Sequence, residues 1–535
     1  TIRLDAPVDF KLPDNLWLTG LDKKLVENLF IELGFRSLVA RLNDLGKTEE
    51  KKEEAKSEGK KKKKTEAVDE TLLTETGIML WLLNSDLTSP THEDILQQTG
   101  VASLVEAKEK LEKDLVAAGL KEVYEKLEQP LIPILETARR RGMRLNTTYL
   151  DELATEYHTE LTALEKKIFD LVGQTFNLNS PKQLGEILFD QLKLTAKGLK
   201  KTQGGARSTR ESELEKLRAV HPVIAEILAY RELQKLLSTY VDALPKLVGE
   251  DGALHSRLEQ AGSTTGRMSS RDPNLQNIPA DQGRGLAIRQ AFVARPDHLF
   301  VAFDYSQIEM RVLAVLSQDR ALLEMFQAGG DIHTQVASRV FGVEESAVTK
   351  EMRRQAKVIN FGIIYGMGVN ALKDNLGTDR KTAQTFYQKY FEAFPTIHDY
   401  FERVKEEAKK IGYTETMFGR RRYLPALRSP LPFIRAAAER AAMNAPLQGS
   451  AADIVKLAII KVDEVLKSQK LEDKAHLLLQ VHDELLYEVS ESELKTVIPI
   501  IKRAMESVVT EPITYTTKVE VGKTWGDLAS YDIIP

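Results

Sequence analysis

Two short apolar runs in this 535-residue chain end in carboxylates. HLFVAFD, residues 298–304, closes on Asp304. HLLLQVHDELLYEV, residues 476–489, has two strand-length apolar stretches around a polar VHDE that carries Asp483 and Glu484. Such runs read as strands, and the second pair reads as a hairpin with a charged turn. Strands that deliver carboxylates to one end of a sheet can build a divalent-cation site. Two ions about 3.5–4 Å apart then clamp the attacking and leaving oxygens of a phosphoryl transfer. Oxygen-only ligands favour Mg2+ or Mn2+ over zinc. Taken alone, acidic residues at strand ends are more often simply solvated, so the pair needs a substrate to act on.

The segment MRRQAKVINFGIIYG, residues 352–366, supplies one. Arg353, Lys357, Phe361 and Tyr365 recur every four residues, and at helical pitch they drift only about 40° per step. The order along this stripe is cation, cation, aromatic, aromatic. A core-facing stripe would be apolar throughout, and a solvated one would not include Phe361. The pattern fits a nucleotide laid along a helix, with Arg353 and Lys357 at the phosphates and Phe361 and Tyr365 at the sugar and base.

The elements that must position these residues are mostly helical. Helical periodicity is read over residues 25–42, in GIMLWLLNSDL, from about Ser103 to Glu128, through LIPILETARRRG, and from Tyr149 to Val172. Ser180-Pro181 marks a helix start, a capping residue followed by proline in the first turn. QGGARSTR, residues 203–210, is a Gly-rich basic loop, equally suited to a phosphate backbone or to ordinary flexibility. KVEVG, residues 518–522, reads as a further strand. The C-terminal half is therefore expected to be α+β, a small sheet among many helices. Residues 46–70 are almost wholly charged, cannot offset their ordering entropy, and are expected to be a mobile linker; the Lys60–Lys64 run could touch nucleic acid.

The composition bounds the class. An apolar share of 42% allows sizeable cores, and the length suggests two to four domains. The net charge of −4 neither announces nor excludes a nucleic-acid partner, because a local basic groove is averaged away. With no cysteine, disulfides, thiolate metal sites and cysteine nucleophiles are excluded, and an intracellular setting is expected. No apolar run reaches the length of a membrane span. The start is polar and begins with Thr1, which suggests a piece of a longer protein.

DYSQIEMRVLA (304–314), RRQAKVINFGIIYG (353–366) and QVHDELLYEV (480–489) resemble the three signature motifs of family A DNA polymerases, the bacterial DNA polymerase I group. TTGRMSSRDPNLQNIP (264–279), DIHT (331–334), FGRRRYLP (418–425) and NAPLQGSAADI (444–454) match as well, so the resemblance covers residues 129–535. It implies that Asp304 and Asp483 hold two Mg2+ ions, with Mn2+ as a substitute, that Glu484 supports them, and that the Tyr305 carbonyl completes the coordination. It implies that Arg353, Lys357 and His333 hold an incoming deoxynucleoside triphosphate, Lys357 being the candidate proton donor to pyrophosphate. Phe361 would pack on sugar and base, Tyr365 would guard the templating position, Glu309 would reject a ribose 2′-hydroxyl, and Gln307 would join the nucleotide site. Arg267, Gln448 and His482 would contact the primer terminus or the minor groove, where correct pairs present acceptors in common places. Asn274 and Gln276 would be further contacts to primer–template DNA. Three residues also have plainer readings: His333 could pack at a helix start, Gln448 could cap a turn, and Asn274 could serve the DPN turn.

The implied architecture is a right hand within an α+β fold. The thumb spans about 150–256, the palm about 257–315 and 440–535, and the fingers about 316–439. Upstream, 1–42 resembles the tail of a missing 5′ nuclease domain, 43–70 is the linker, and 71–128 resembles a reduced 3′–5′ exonuclease-like remnant. The early strand with paired carboxylates and the later Tyr-x-x-x-Asp have no counterpart there, so no proofreading is expected. The resemblance implies a bacterial, cytoplasmic, nucleoid-associated monomer acting in replication and repair. Substantial reverse transcription is the nearest alternative; a two-metal nuclease would not need the Arg353–Tyr365 stripe, and a non-catalytic DNA-binding module would tolerate losing Asp304 or Asp483.

Overall fold

The computed structural model describes residues 69–531, except Gln203, Asp281 and Gln282, together with Asp22, Leu25, Val26 and Leu42. The expected upstream tail and charged linker therefore lie almost wholly outside the described residues. Residues from Glu70 onward form one compact unit, distinct from those up to Asp69.

This unit opens with α1 (Glu70–Leu83), α2 (His92–Thr99) and α3 (Leu104–Ala118). Thr91 starts α2 in a reciprocal capping arrangement with Asp94, which satisfies two donors that a helix start leaves open. The sequence pattern from Ser103 to Glu128 reads as a single helix, but the chain stops at Gly119. There φ is 69°, and the glycine N–H turns back to the Leu115 and Val116 carbonyls. Only glycine adopts this left-handed stop without a Cβ penalty. The chain winds again over Lys121–Val123 and a wide turn at Tyr124–Glu128. Helices α4 (Leu131–Arg141), α5 (Thr147–Val172, capped by Asn146) and α6 (Val223–Leu236) follow. Between α5 and α6 the basic loop is present, with Arg207 laid over the Phe189 ring at 5.4 Å.

Beyond it come β1 (His298–Tyr305), α7 (Ile308–Ser317), α8 (Ile332–Phe341), α9 (Lys350–Ile364) and the 37-residue α10 (Pro432–Ser468). The chain ends with β2 (Ala475–Val481), β3 (Glu484–Ser490), α11 (Leu494–Glu506), β4 (Thr517–Gly522) and β5 (Ala529–Ser530). The strands form one antiparallel sheet in the order β5-β4-β1-β3-β2. Phe300–Phe303 of β1 and Leu485–Val489 of β3 are buried without alternation. The sheet is thus covered on both faces, which explains why these strands read as continuous apolar runs. Phe303 meets Tyr487 edge to face at 5.9 Å. Each such buried side chain contributes about 1.5–3 kcal/mol, enough in sum to make the sheet a rigid base for what its ends carry.

A buried charge network joins the turn that ends at Glu128 to Arg420 and α10, and α1 touches it through Trp81. Glu128, Arg420, Asp453 and Lys456 are all nearly inaccessible. Lys456 Nζ lies 2.6 Å from Glu128 Oε1, Arg420 Nε lies 2.7 Å from Asp453 Oδ1, and Arg420 also bonds Glu128. Gln260 donates to the Glu128 carboxylate at 2.6 Å. Trp81 of α1 lies under both cations and donates its indole N–H to the Ser263 carbonyl at 2.9 Å. Two acids and two bases cancel. Burial still pushes Lys456 down to about 8 and raises Asp453, whereas Lys456 and Arg420 overcome burial to hold Glu128 below its ordinary value.

Candidate active site

The antiparallel register brings the carboxylates together. Asp304, near the end of β1, pairs across the sheet with Glu484 on one side and Lys518 on the other. Asp483 lies in the β2–β3 turn, and its carbonyl accepts from the Tyr305 N–H at 3.2 Å. His482 in the same turn is exposed and left-handed, φ 55°, which lets the hairpin reverse over two residues. Burial, reinforced by Asp483 and Glu484, pushes Asp304 up to about 7. Burial likewise raises Asp483 and Glu484, and Glu484 Oε1 makes no hydrogen bond. Crowded carboxylates whose ionised forms repel one another are what a cation site requires. Among the described residues, no group of three or more His, Cys, Asp or Glu side chains converges in a metal-holding arrangement. The expected donor set of two aspartates and one main-chain carbonyl does not call for such a group. The Tyr305 phenol is turned away, donating to the Met505 carbonyl at 2.7 Å in the core.

A second cluster links this end of the sheet to α9. Arg267 donates to Glu309 at 2.6 Å, and Tyr365 lies against both. Burial raises Glu309 despite Arg267, and the charge of Asp483 adds to that rise. Tyr365, Glu309 and Asp483 are therefore neighbours in one electrostatic site. Gln307 precedes α7 in a left-handed conformation, φ 49°, which turns the chain from β1 into the helix that carries Glu309.

All four residues of the stripe on α9 are exposed, while Ala356, Ile359, Asn360 and Ile363 are buried behind them. Phe361 is 36% and Tyr365 45% accessible. Tyr365 falls just past the last helical residue, at the C-cap. His333, expected to meet the triphosphate, is only 4% exposed. Its ring packs 5.8 Å from Phe361, and its Nδ1 accepts from Asn360 at 3.1 Å. That bond leaves the proton on Nε2. Burial, helped by Arg353 and Lys357, lowers the histidine pKa and keeps the ring neutral.

Three partners here were not singled out in the sequence. Asp331 grips Arg353 through two bonds, at 2.8 and 2.9 Å, while also capping α8. The Arg353 contact holds the Asp331 carboxyl far below its ordinary range. Asn360 orients His333. Gln480 bonds the His482 carbonyl and receives Gln276 at 2.8 Å through its own main-chain oxygen. The first could have been found, because DIHT places an N-cap aspartate two residues before His333; the other two depend on tertiary contacts. Asn274 accepts from the Gln276 N–H at 3.0 Å, serving the turn, and its side chain remains exposed. Gln448 is half-buried on α10.

A carboxylate-bearing sheet end lies beside a helix that exposes cations and aromatics. The model of DNA polymerase family A matches residues 147–527, and the chain belongs to that family. It is 46% identical over 404 residues to the thermostable DNA polymerase I of Thermus aquaticus, covering 75% of this chain and 48% of that protein. It is also 46% identical over 403 residues to DNA polymerase I of Geobacillus stearothermophilus, covering 75% and 45%. The chain thus spans about half the length of the curated relatives it matches. Among solved structures it is similar to the POL domain of Pol1 from M. smegmatis in complex with DNA primer-template and dNTP. The TM-score is 0.79 at 35% identity, over 84% of this chain and 81% of that one. Among the described residues no helix is long and apolar enough to cross a membrane.

Proposed function

We propose that this chain is a template-directed DNA polymerase that extends a primer 3′ end and releases pyrophosphate. The observation that carries the reading is the continuity from the exposed α9 stripe, through Tyr365 and Glu309, to the crowded Asp304–Asp483 pair. Arg353 and Lys357 hold the triphosphate, and Lys357 gives a proton to the departing pyrophosphate. Before that, Arg353 exchanges Asp331 for phosphate, so nucleotide entry is coupled to movement between α8 and α9. Phe361 packs on sugar and base, Tyr365 occupies the templating position until a base displaces it, and Glu309 excludes a 2′-hydroxyl by volume. His333 offers its Nε2 proton to the phosphates once Phe361 turns towards the nucleotide, and Gln307 lines the same site. Arg267, Gln448, His482, Asn274 and Gln276 follow the duplex.

The donors fit Mg2+ or Mn2+, which Asp304, Asp483 and the Tyr305 carbonyl would hold, with Glu484 behind them. When bound, such a pair of ions supplies charge neutralisation at the attacking and leaving oxygens. The protein's own contribution is positioning and a preorganised field.

Residues 71–128 act as a support for the polymerase and do not proofread. Trp81 and Glu128 are committed to the buried network with Arg420 and Lys456. A labelled, mismatched primer incubated with Mg2+ and no nucleotides should stay intact; 3′ shortening would contradict this reading. The polymerase itself is tested by extension of a labelled primer on matched DNA and RNA templates. Addition of the complementary deoxynucleotide on DNA supports it, and absence of any addition overturns it.

A further inference from the structure

Phe433, in the first turn of α10, is the most exposed large apolar side chain among the described residues, at 71%; Leu431, just before the helix, is 47% exposed. From Phe433 onward, Ala437, Arg440, Asn444 and Gln448 fall within about 80° of one face of the helix. Ala437 and Arg440 are exposed, and Asn444 and Gln448 are half-buried. The Asn444 side-chain oxygen has no hydrogen-bond partner. The face passes directly by the end of α9: a Cβ built on Gly366 would lie 3.3 Å from Arg440 Cγ, so the backbone following Tyr365 rests against Arg440. Phe433 stands two helical turns further out, about 10 Å along the axis.

We infer that Phe433, flanked by Leu431, is a stacking platform for an unpaired template base about three nucleotides ahead of the templating position. The inference rests on the proposed polymerase function, which places the duplex at Gln448 and the templating base at Tyr365. Continuity argues for this occupant, because the same face runs on without a break from Gln448 past Arg440. The charge also suits a polyanion. Arg440 lies on the face, and the N-terminus of α10 presents its positive end. An axial offset of about 10 Å corresponds to about three nucleotides at 3.4 Å each. An aromatic platform accepts any base, as a moving template requires. A protein or lipid partner would call for a wider apolar patch than two side chains on a face that also carries Arg440.

The test uses the whole chain and one duplex carrying 5′ template overhangs of zero, one, four or eight nucleotides, with affinity read by fluorescence anisotropy. Phe433→Ala should bind the two longer overhangs about ten-fold more weakly than the parent and match it on the two shorter ones. Phe433→Trp should restore binding. A fluorescent base analogue at the fourth nucleotide of the overhang, three beyond the templating base, should be quenched by the parent and not by Phe433→Ala. Equal affinity at every overhang length, or an equal loss at every length, overturns the platform. Primer extension by the parent on the same substrates keeps the two readings apart. Extension with an indifferent Phe433→Ala sinks the platform alone, whereas no extension sinks the polymerase reading and the platform with it.

Discussion

Replacing Asp304 by Asn should remove activity and yet stabilise the cation-free protein. Burial and its acidic neighbours lift Asp304 from 3.8 to about 7, so the folded state holds this proton more tightly than the unfolded chain does. A carboxyl shifted in that direction leaves stability intact below about pH 4 and erodes it as pH rises through 7. Each tenfold change in proton affinity is worth about 1.4 kcal/mol, so the erosion is about 4 kcal/mol at pH 8.5 and under 2 kcal/mol at pH 5. Burial is the larger cause of the Asp304 shift, and the charge of Asp483 adds to it. The informative quantity is therefore the change with pH, which is free of any constant packing cost of the amide. In urea denaturation with EDTA, the advantage of Asp304→Asn over the parent should grow by about 2–3 kcal/mol between pH 5 and pH 8.5. Mg2+ should then stabilise the parent more than the variant, because the ion binds only the folded site. An advantage that does not change with pH, or a parent that gains on the variant as pH rises, would refute the claim that these carboxylates form a strained anionic pair.

Two further outcomes follow from the geometry. Lys456→Ala leaves Glu128 buried beside a single cation and should cost about 3–5 kcal/mol in the same denaturation assay; a loss below about 1 kcal/mol would mean that the Glu128 charge is satisfied without Lys456. Glu309→Ala removes the buried carboxylate proposed to exclude a 2′-hydroxyl and should lower deoxyribose-over-ribose selectivity in kcat/KM by about 10–100-fold. An unchanged ratio in single-nucleotide addition would remove Glu309 from that role.

The sheet and stripe were readable because their signals are local. HLFVAFD and HLLLQVHDELLYEV are apolar enough to be strands buried on both faces, and the four-residue recurrence from Arg353 to Tyr365 is a helical period. The break at Gly119 was not readable, because the Glu/Lys-rich pattern continues across it and only the left-handed backbone of one glycine ends the helix. The Glu128–Arg420–Asp453–Lys456 network was also hidden. Its members are far apart in the chain, and each charge by itself reads as a solvated residue. Resting-state partners were the least legible part of the site. The Asp331 cap is legible in DIHT, but its grip on Arg353, like that of Gln480 on Gln276, depends on how α8, α9 and the hairpin pack.

The central claim is that Asp304 and Asp483 serve chemistry on a nucleotide held by α9. The most direct measurement is single-turnover addition of one deoxynucleotide by Asp483→Ala, with primer–template affinity measured on the same preparation. DNA binding should be unchanged within about two-fold, and the chemical rate should fall by at least ~10³-fold, about 4 kcal/mol of transition-state stabilisation. Addition at close to the parental rate would contradict the claim.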